Sequence, residues 1–445
     1  MPYQVPQNIN PNKIFLVNFS DLQGRWDPKM SLFQKESKTF KYRVASLKDF
    51  LSKDPQYGAG ESGIERTGIS EPRYIRITDI NDDGTLNDSL GATAQNIEEK
   101  YFLKENDILI ARSGATVGKA YIHKNVFPYQ CFFAGYLIRF VVSHYLLPDY
   151  FFVYTQLQVY KNWINAVQRP SGQPNINAEE YKSLPIPIPP KEIQQQIIDY
   201  YNSAYKSKLE KHQQAETLLQ SIDDYLLGEL GITLPNTNAQ SLNDRIFTVN
   251  YSEVCGGRLD PKGVLFLGEH AKSTKYSNIQ LKQIATIKKG EAITSENVDK
   301  NGHYPVIAGG QASPYNHNIY NYDGDVITVS ASGAYSGYVW YHNYPIFASD
   351  CSVIYSKDDR FTTKYIFEVL KAQQSQIYLL QQGAGQPHVY PDDLGKLWIP
   401  IIDKTKQQEI VDHITKIRQQ AKQLQVEGDG DLKKAKEEVE RMILN

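Results

Sequence analysis

The chain has 445 residues and a formal net charge of −2, from 48 basic and 50 acidic side chains. This near-neutral balance excludes a protein that coats nucleic acid by charge alone, but it is compatible with local reading of nucleic acid. The three cysteines show no CxxC spacing, which excludes a disulfide framework and a thiol-rich zinc site and is typical of a reducing compartment.

No targeting or membrane segment is expected at the start of the chain or in its most apolar stretch. Residues 1–22 lack a continuous apolar core with basic flanks, as a signal peptide would have. The stretch 131–154 is interrupted by Arg139, His144 and Asp149, so it does not predict a membrane span. The sequence therefore predicts a soluble cytoplasmic protein.

Five blocks of sequence occur twice in the same order along the chain. They are GRWDPK at 24–29 and GRLDPK at 257–262, SGATVG at 113–118 and SGAYSG at 332–337, GQPNI at 172–176 and GQPHV at 385–389, LPIPI at 184–188 and LWIPI at 397–401, and QQQI at 194–197 and QQEI at 407–410. One pair could arise by chance among short turns that contain Gly and Pro. Five collinear pairs indicate a duplicated unit of about half the chain.

Each copy begins with a turn-rich region that predicts a mixed α+β globule. Short apolar runs bounded by Gly, Asn and Asp predict strands over 74–77, 107–110 and 325–329. A helix is predicted after the strands of each copy, over 149–158 and over 364–373.

Each copy ends in a pattern that predicts a long helix. Residues 192–230 contain no proline and one glycine, and their apolar residues recur every three or four positions. In the second copy the apolar residues from Ile410 onward step by 4, 3, 4 and 3, which is a heptad pattern. The segment 428–431 contains two glycines, so a kink or break is predicted there.

A long helix with one apolar stripe is not stable alone. We therefore expect the two helices to pack as an antiparallel coiled coil that separates two globules related by a pseudo-twofold. Packing of each helix on its own globule is the alternative. The residues predicted to form the helix packing are Ile193, Ile197, Tyr201, Leu219, Ile222, Leu226, Ile410, Ile414, Ile417 and Leu424.

No persuasive catalytic motif is present. Residues 114–120 are one residue short of a phosphate-binding P-loop, and Ala120 lacks the hydroxyl that would ligate magnesium. There is no HExxH, and the nine histidines have no metal-ligand spacing. The sequence therefore predicts neither a catalytic site nor a metal site.

The duplicated order of these motifs resembles the specificity subunit (HsdS) of type I restriction–modification systems. The resemblance rests on RSGATVGK at 112–119, GQPNI at 172–176 and LPIPIP at 184–189 leading into QQQI at 194–197, with counterparts in the second copy. It implies a non-catalytic subunit with two target-recognition domains, 1–190 and 234–402, that each read one half of a bipartite, asymmetric DNA site. It also implies conserved spacer helices, 191–233 and 403–445, that set the spacing between half-sites.

The resemblance further implies which partners the chain has. The helices would dock two modification subunits that use S-adenosylmethionine to methylate adenine. Restriction subunits would add ATP- and Mg²⁺-dependent translocation and cleavage. This subunit itself would hold no cofactor, and its partner ligand would be double-stranded DNA.

The two motif loops of each copy supply candidate DNA contacts, because glycine allows close backbone approach and small polar side chains contact phosphates or bases. The alternative is that these loops are tight turns that bond to their own backbone. The candidates are Arg112, Ser113, Thr116, Lys119, Gln173, Asn175, Ser332, Tyr335, Ser336, Gln386 and His388. Arg25 and Arg258 are expected instead to pair with Asp27 and Asp260.

Two other functions compete with this interpretation. A bivalent adaptor could bind protein or glycan through its duplicated domains, and its binding would depend little on salt. An enzyme of an unrecognised type is disfavoured by the missing chemistry. DNA binding through phosphates would instead depend strongly on salt.

Overall fold

The computed structural model describes residues 16, 28–37, 39–168, 174–234, 248, 272–294, 298–299, 301–383 and 385–444. Gln173, Arg25, Asp27, Arg258 and Asp260 lie outside the described residues, as does most of the first repeated block. The chain forms two compact units: the first comprises residues 1–211 and 426–445, and the second comprises 212–425.

The first unit combines short strands with helices. Its strands are β1 (Val44–Ser46), β2 (Gln56–Tyr57), β3 (Ile64–Glu65), β4 (Arg73–Ile75), β5 (Ala92–Thr93), β6 (Ile108–Ala111), β7 (Ala120–Ile122), β8 (Cys131–Phe133), β9 (Leu137–Phe140) and β10 (Pro185–Pro187). Its helices are α1 (Pro28–Ser37), α2 (Pro148–Thr155), α3 (Gln158–Val167), α4 (Ala178–Lys182) and the first half of α5 (Lys191–Leu230). The strands form sheets of order β2-β9-β6-β7, β3-β5-β4-β8 and β1-β10.

The second unit follows the same plan. Its strands are β11 (Asn278–Gln280), β12 (Ala285–Lys289), β13 (Tyr304–Ile307), β14 (Asn316–His317), β15 (Val326–Ser330), β16 (Val339–His342), β17 (Phe347–Ala348), β18 (Cys351–Ser356) and β19 (Trp398–Pro400). Its helices are α6 (Leu281–Ile284), α7 (Thr363–Ala372), α8 (Gln374–Ile377), α9 (Pro391–Leu394) and the first half of α10 (Lys404–Ile443). The sheets have the orders β12-β18-β15-β16, β14-β13-β17 and β11-β19.

The sheet topology confirms the duplication predicted from the repeated blocks. The order β2-β9-β6-β7 corresponds to β12-β18-β15-β16 in the second unit, with every neighbouring pair antiparallel. Each unit also has a parallel pair, β4 with β8 and β13 with β17. The strands predicted over 74–77, 107–110 and 325–329 are confirmed as β4, β6 and β15 to within two residues at their ends.

Two predictions about helix boundaries were wrong. The single helix predicted over 149–158 ends at Thr155, because Leu157 adopts an extended conformation with its side chain buried before α3 begins. The long helix α10 is continuous through 428–431, where a kink or break was predicted. In the first unit, Asp429 and Asp431 lie 3.0 Å and 2.6 Å from the Nζ atoms of Lys208 and Lys211 on α5. These ion pairs help to offset the cost of the two glycines, about 1 kcal/mol each in a helix.

The two long helices run antiparallel to each other. In the first unit the beginning of α5 shares a hydrophobic core with the end of α10, as Ile197 does with Val439. In the second unit the end of α5 shares a core with the beginning of α10, as Leu226 does with Ile414. Residues of each globule belong to the same cores. Both packing modes weighed from the sequence are therefore present together.

The packing residues on α5 need one correction. Leu219 is 40% exposed, whereas Leu218 packs against the core of the second unit. The position four residues before Ile222 is 218, so Leu218 lies on the same face of the helix as Ile222 and Leu219 does not. Leu424 is half-buried, and Ile193 packs at the edge of the first core.

The repeated glutamine after each proline run fastens the start of a long helix to its globule. The Gln194 side chain, which is buried, accepts a hydrogen bond from the N–H of Leu147 at 2.9 Å and donates to the carbonyl of Pro189 at 3.0 Å. Gln407, also buried, makes the corresponding two bonds at 3.0 Å each in the second unit. An amide supplies both a donor and an acceptor, so the repeated glutamine has a structural reason.

A buried histidine in β16 predicts a pH dependence of stability. Burial lowers the pKa of His342 to about 4, and its Nε2 lies 2.8 Å from the hydroxyl of Thr328. Because the unfolded chain then binds more protons between pH 4 and 6.5, folding stability is lost as the pH falls through this window. We expect His342 to contribute about 2 kcal/mol of destabilisation between pH 7 and pH 5.

The measurement is urea unfolding of the chain and of His342→Asn at both pH values. The pH-dependent part of the unfolding free energy should shrink in the variant. An equal loss of stability in both proteins would contradict the assignment to His342.

Candidate nucleic-acid interface

The Ser-Gly loops are tight turns whose backbone requires glycine. In the first unit Gly114 has φ +73° and Gly118 has φ +88°; in the second, Gly333 has φ +85° and Gly337 has φ +98°. Residues other than glycine rarely adopt these φ values. At Gly118 an added Cβ would also lie 2.9 Å from the Ile164 side chain. The shared glycines are therefore needed for the backbone conformation of the loops.

In each unit the Ser-Gly loop bonds to the Gly-Gln-Pro loop through the backbone. The N–H of Gly114 donates to the carbonyl of Pro174 at 2.9 Å, and the N–H of Gly333 donates to that of Pro387 at 3.0 Å. We call the first pair of loops, 112–118 with 174–176, junction 1, and the second pair, 331–337 with 387–389, junction 2. The two motifs that are far apart in each copy thus form one local structure.

A further pair of bonds aligns the two junctions residue by residue. The carbonyl of Arg112 accepts from Ile176 at 2.8 Å, and the carbonyl of Ala331 accepts from Val389 at 3.0 Å. Ala331 is therefore the counterpart of Arg112.

A third segment bonds to each junction through its backbone, and no repeated block of the sequence indicates it. The N–H of Arg112 donates to the carbonyl of Tyr136 at 3.0 Å, and the N–H of Ala331 donates to that of Asp350 at 3.1 Å. Tyr136 and Asp350 are therefore counterparts, although neither residue belongs to a repeated block. Their correspondence follows from these two backbone bonds.

Each junction borders an open cavity. The cavity at junction 1 has a volume of about 380 Å³ and is lined by Ile77, Arg112, Ser113, Tyr136, Pro174 and Asn175. The cavity at junction 2 has a volume of about 400 Å³. Its lining includes Lys289, Ala331, Asp350, His388 and Tyr390.

At junction 1 the cationic side chain of Arg112 lies beside the ring of Tyr57. The guanidinium of Arg112 lies 5.0 Å from the ring centre of Tyr57, whose hydroxyl accepts from the N–H of Ala178 at 3.0 Å. Tyr136 is 61% exposed, and Asn175 is exposed. This arrangement holds a cationic group and an amide at one open surface.

Other candidates in the first unit serve the loop itself. Thr116 donates to the carbonyl of Ser113 at 3.2 Å, and the Ser113 side chain is buried. Lys119 lies 2.6 Å from the carboxylate of Asp82, and their hydrogen bond lowers the pKa of Asp82. Lys119 is thus directed to an acidic partner in the same unit.

Junction 2 has the same backbone but different chemistry. Ser332 donates a hydrogen bond to the exposed side chain of Asp350. Gln386 is exposed, Tyr335 is 49% exposed, and the ring of His388 stacks on Tyr390 with centres 6.1 Å apart.

Ser336 does not fit its predicted role as a DNA contact. Its side chain is fully buried, and its hydroxyl oxygen has no solvent exposure. A group enclosed in the globule cannot reach a base or a phosphate, so this candidate was wrong.

The structure offers no metal site among the residues that it describes. Within those ranges no group of three or more His, Cys, Asp and Glu side chains could hold a metal ion. Likewise, none of the helices in the described ranges has the length and apolar character needed to cross a bilayer.

A family model described as the type I restriction modification DNA specificity domain matches residues 70–220 and again 274–427. The two matches cover more than half of the chain and coincide with its two copies. The chain belongs to this family. Its role is therefore that of a DNA specificity subunit, and nothing supports the alternative of a bivalent protein- or glycan-binding adaptor.

The chain resembles solved structures, one of which shares its fold. A chain from a study of complex assembly and conformational transition of the type I restriction–modification system is 13% identical with a TM-score of 0.51, covering 90% of this chain and 96% of that chain. The S subunit from M. genitalium is also 13% identical, with a TM-score of 0.46, covering 91% of this chain and 97% of that chain. No curated protein matches the chain.

Proposed function

We propose that each unit of this specificity subunit reads one half of a bipartite, asymmetric DNA site. The observation that carries the proposal is that the two junctions share one backbone framework but present different side chains. Arg112, Tyr136 and Asn175 in the first unit correspond to Ala331, Asp350 and His388 in the second. Sequence is read by side chains at base edges, so this divergence suits two different half-sites.

The long helices set the distance between the half-sites and dock two modification subunits. Support comes from their length, 40 residues each, and from large apolar side chains that stay exposed on them. These exposed side chains are Tyr200, Leu209, Leu219 and Val426. We infer that the modification subunits cover these side chains.

The chemistry of the complex then belongs to the partners. The modification subunits bind S-adenosylmethionine and methylate adenine, and restriction subunits use ATP and Mg²⁺ for translocation and cleavage. The specificity subunit recognises the DNA site and works in the cytoplasm. Because its net charge is −2, DNA binding by the chain alone should be weak and binding in the complex tight.

Two measurements test this function. A tagged chain purified from its host should bring down an adenine methyltransferase in stoichiometric amount. Sequencing of modified bases with and without the gene should reveal one two-part site that depends on the gene. Absence of both the methyltransferase and the modified site would refute the function.

A further inference from the structure

Residues that are the same in both junctions cannot distinguish two different half-sites. The shared serine and glycines hold the loops, as their φ angles and backbone bonds show. Within the junctions, discrimination must come from positions where the side chain differs. The pairs Arg112/Ala331 and Tyr136/Asp350 are such positions, and their members lie next to each other in each junction.

We propose that Arg112 reads a guanine in one half-site and that Asp350 reads a cytosine in the other. This inference rests on the proposed function and adds to it the residue and the base class for each junction. It also includes a position outside the repeated blocks, Asp350.

Arg112 has the placement that base reading requires. Its backbone is fixed by bonds to Tyr136 and Ile176, and its guanidinium is held over the ring of Tyr57. Among the residues described by the structure, no carboxylate forms an ion pair with it, and it lines the open cavity of junction 1. A guanidinium donates two parallel hydrogen bonds, which matches the O6 and N7 acceptors of guanine in the major groove.

Tyr57 makes this placement rigid. Its own hydroxyl is tied to the backbone N–H of Ala178, at the start of α4. The guanidinium of Arg112 lies over this ring, and its Nε atom is buried. The terminal nitrogens are therefore the part of the side chain that can turn toward a base, at a low cost in conformational entropy.

Asp350 has the opposite chemistry at the corresponding place. Its carboxylate is exposed, and Ser332 donates to it, which fixes its orientation. The neighbouring counterpart of Arg112 is Ala331, whose small side chain leaves the space beside the carboxylate open. A carboxylate repels phosphates but accepts from an exocyclic amino group, and cytosine N4 is the donor that acidic side chains select.

The test uses the purified complex of this chain with its modification subunits. Binding is measured for a panel of duplexes in which each base pair of both half-sites is changed in turn. In Arg112→Ala and Arg112→Lys, the preference for guanine should fall by about 5- to 150-fold at one position of one half-site. In Asp350→Asn, the preference for cytosine should fall at one position of the other half-site. All other positions and the spacer should stay as in the wild type.

Arg43→Ala is the matched control, because Arg43 is an exposed arginine of the first unit that lies outside the junction. It should leave every base preference unchanged. Arg112→Lys separates base reading from phosphate binding, since lysine keeps the charge but loses the paired hydrogen bonds.

The results distinguish base reading from a phosphate contact, and failure of this proposal from failure of the proposed function. Uniform weakening across all duplexes in Arg112→Ala would mean a phosphate contact and would overturn the proposal for Arg112. Unchanged base preferences in the variants, with a wild-type complex that prefers a two-part site, would overturn the proposal and leave the function intact. A wild-type complex without any two-part preference would refute the function itself.

Discussion

Insertion of seven residues into both long helices should lengthen the gap between the two half-sites by about three base pairs. The insertions lie between Lys211 and His212 in α5 and between Gln425 and Val426 in α10, where the boundary of the two units crosses each helix. Seven residues add about 10.5 Å of helix, and DNA rises 3.4 Å per base pair. Both half-site sequences should remain the same, because neither junction is touched.

The choice of seven residues also preserves the packing faces. Seven residues make almost two complete turns, so the apolar stripe continues with a rotation of only about 20°. The pairs within each unit, such as Lys211 with Asp431 and Lys406 with Glu229, keep their partners because both members move together.

Sequencing of modified bases in cells that carry the variant measures the result. Insertion into only one helix is the control, since unequal lengths disturb the antiparallel pairing, and modification should be lost. A doubly inserted variant that changes a recognised base, or that keeps the original gap, would contradict a spacing role for the helices.

Much of this fold could be predicted because its signals are local and repeated. The three- and four-residue spacing of apolar positions predicts α5 and α10 directly, and strands such as β6 and β15 follow from short apolar runs. The kink or break predicted from the two glycines at 428–431 is wrong for a reason that lies elsewhere in the chain. The acidic side chains there pair with Lys208 and Lys211, which lie more than 200 residues earlier in the chain.

The candidate site shows the same limit. The Ser-Gly and Gly-Gln-Pro motifs could be found because they recur, but recurrence marks the shared framework and not the side chains that differ. Tyr136 and Asp350 differ in residue type and lie outside the repeated blocks, and the backbone bonds to Arg112 and Ala331 show that they correspond. The small hydroxyl of Ser336 in a glycine loop predicts a DNA contact, but the sequence cannot show which way such a side chain points.

Removal of Arg418 should lower the free energy of unfolding by about 3–5 kcal/mol. Arg418 on α10 donates two hydrogen bonds, of 2.5 and 2.7 Å, to the carboxylate of Glu368 on α7. The Glu368 side chain is only 1% exposed, so Arg418→Met leaves a buried carboxylate without its main partner. Lys371 is engaged elsewhere, because its Nζ donates hydrogen bonds to the carbonyl of Val339 and to the side chain of Gln374.

Urea unfolding of single and double variants separates the pair from its surroundings. Arg418→Met combined with Glu368→Met should recover most of the lost stability, since the buried charge is then gone as well. Arg360→Met is the matched control, because Arg360 pairs with Asp358 at the surface, where solvent screens the ion pair. A cost for Arg418→Met as small as that of Arg360→Met would mean that Glu368 finds solvent or another cation when Arg418 is removed. In that case the attachment of α7 to α10 would depend on apolar contacts such as those of Ile366 and Ile414 and not on the ion pair.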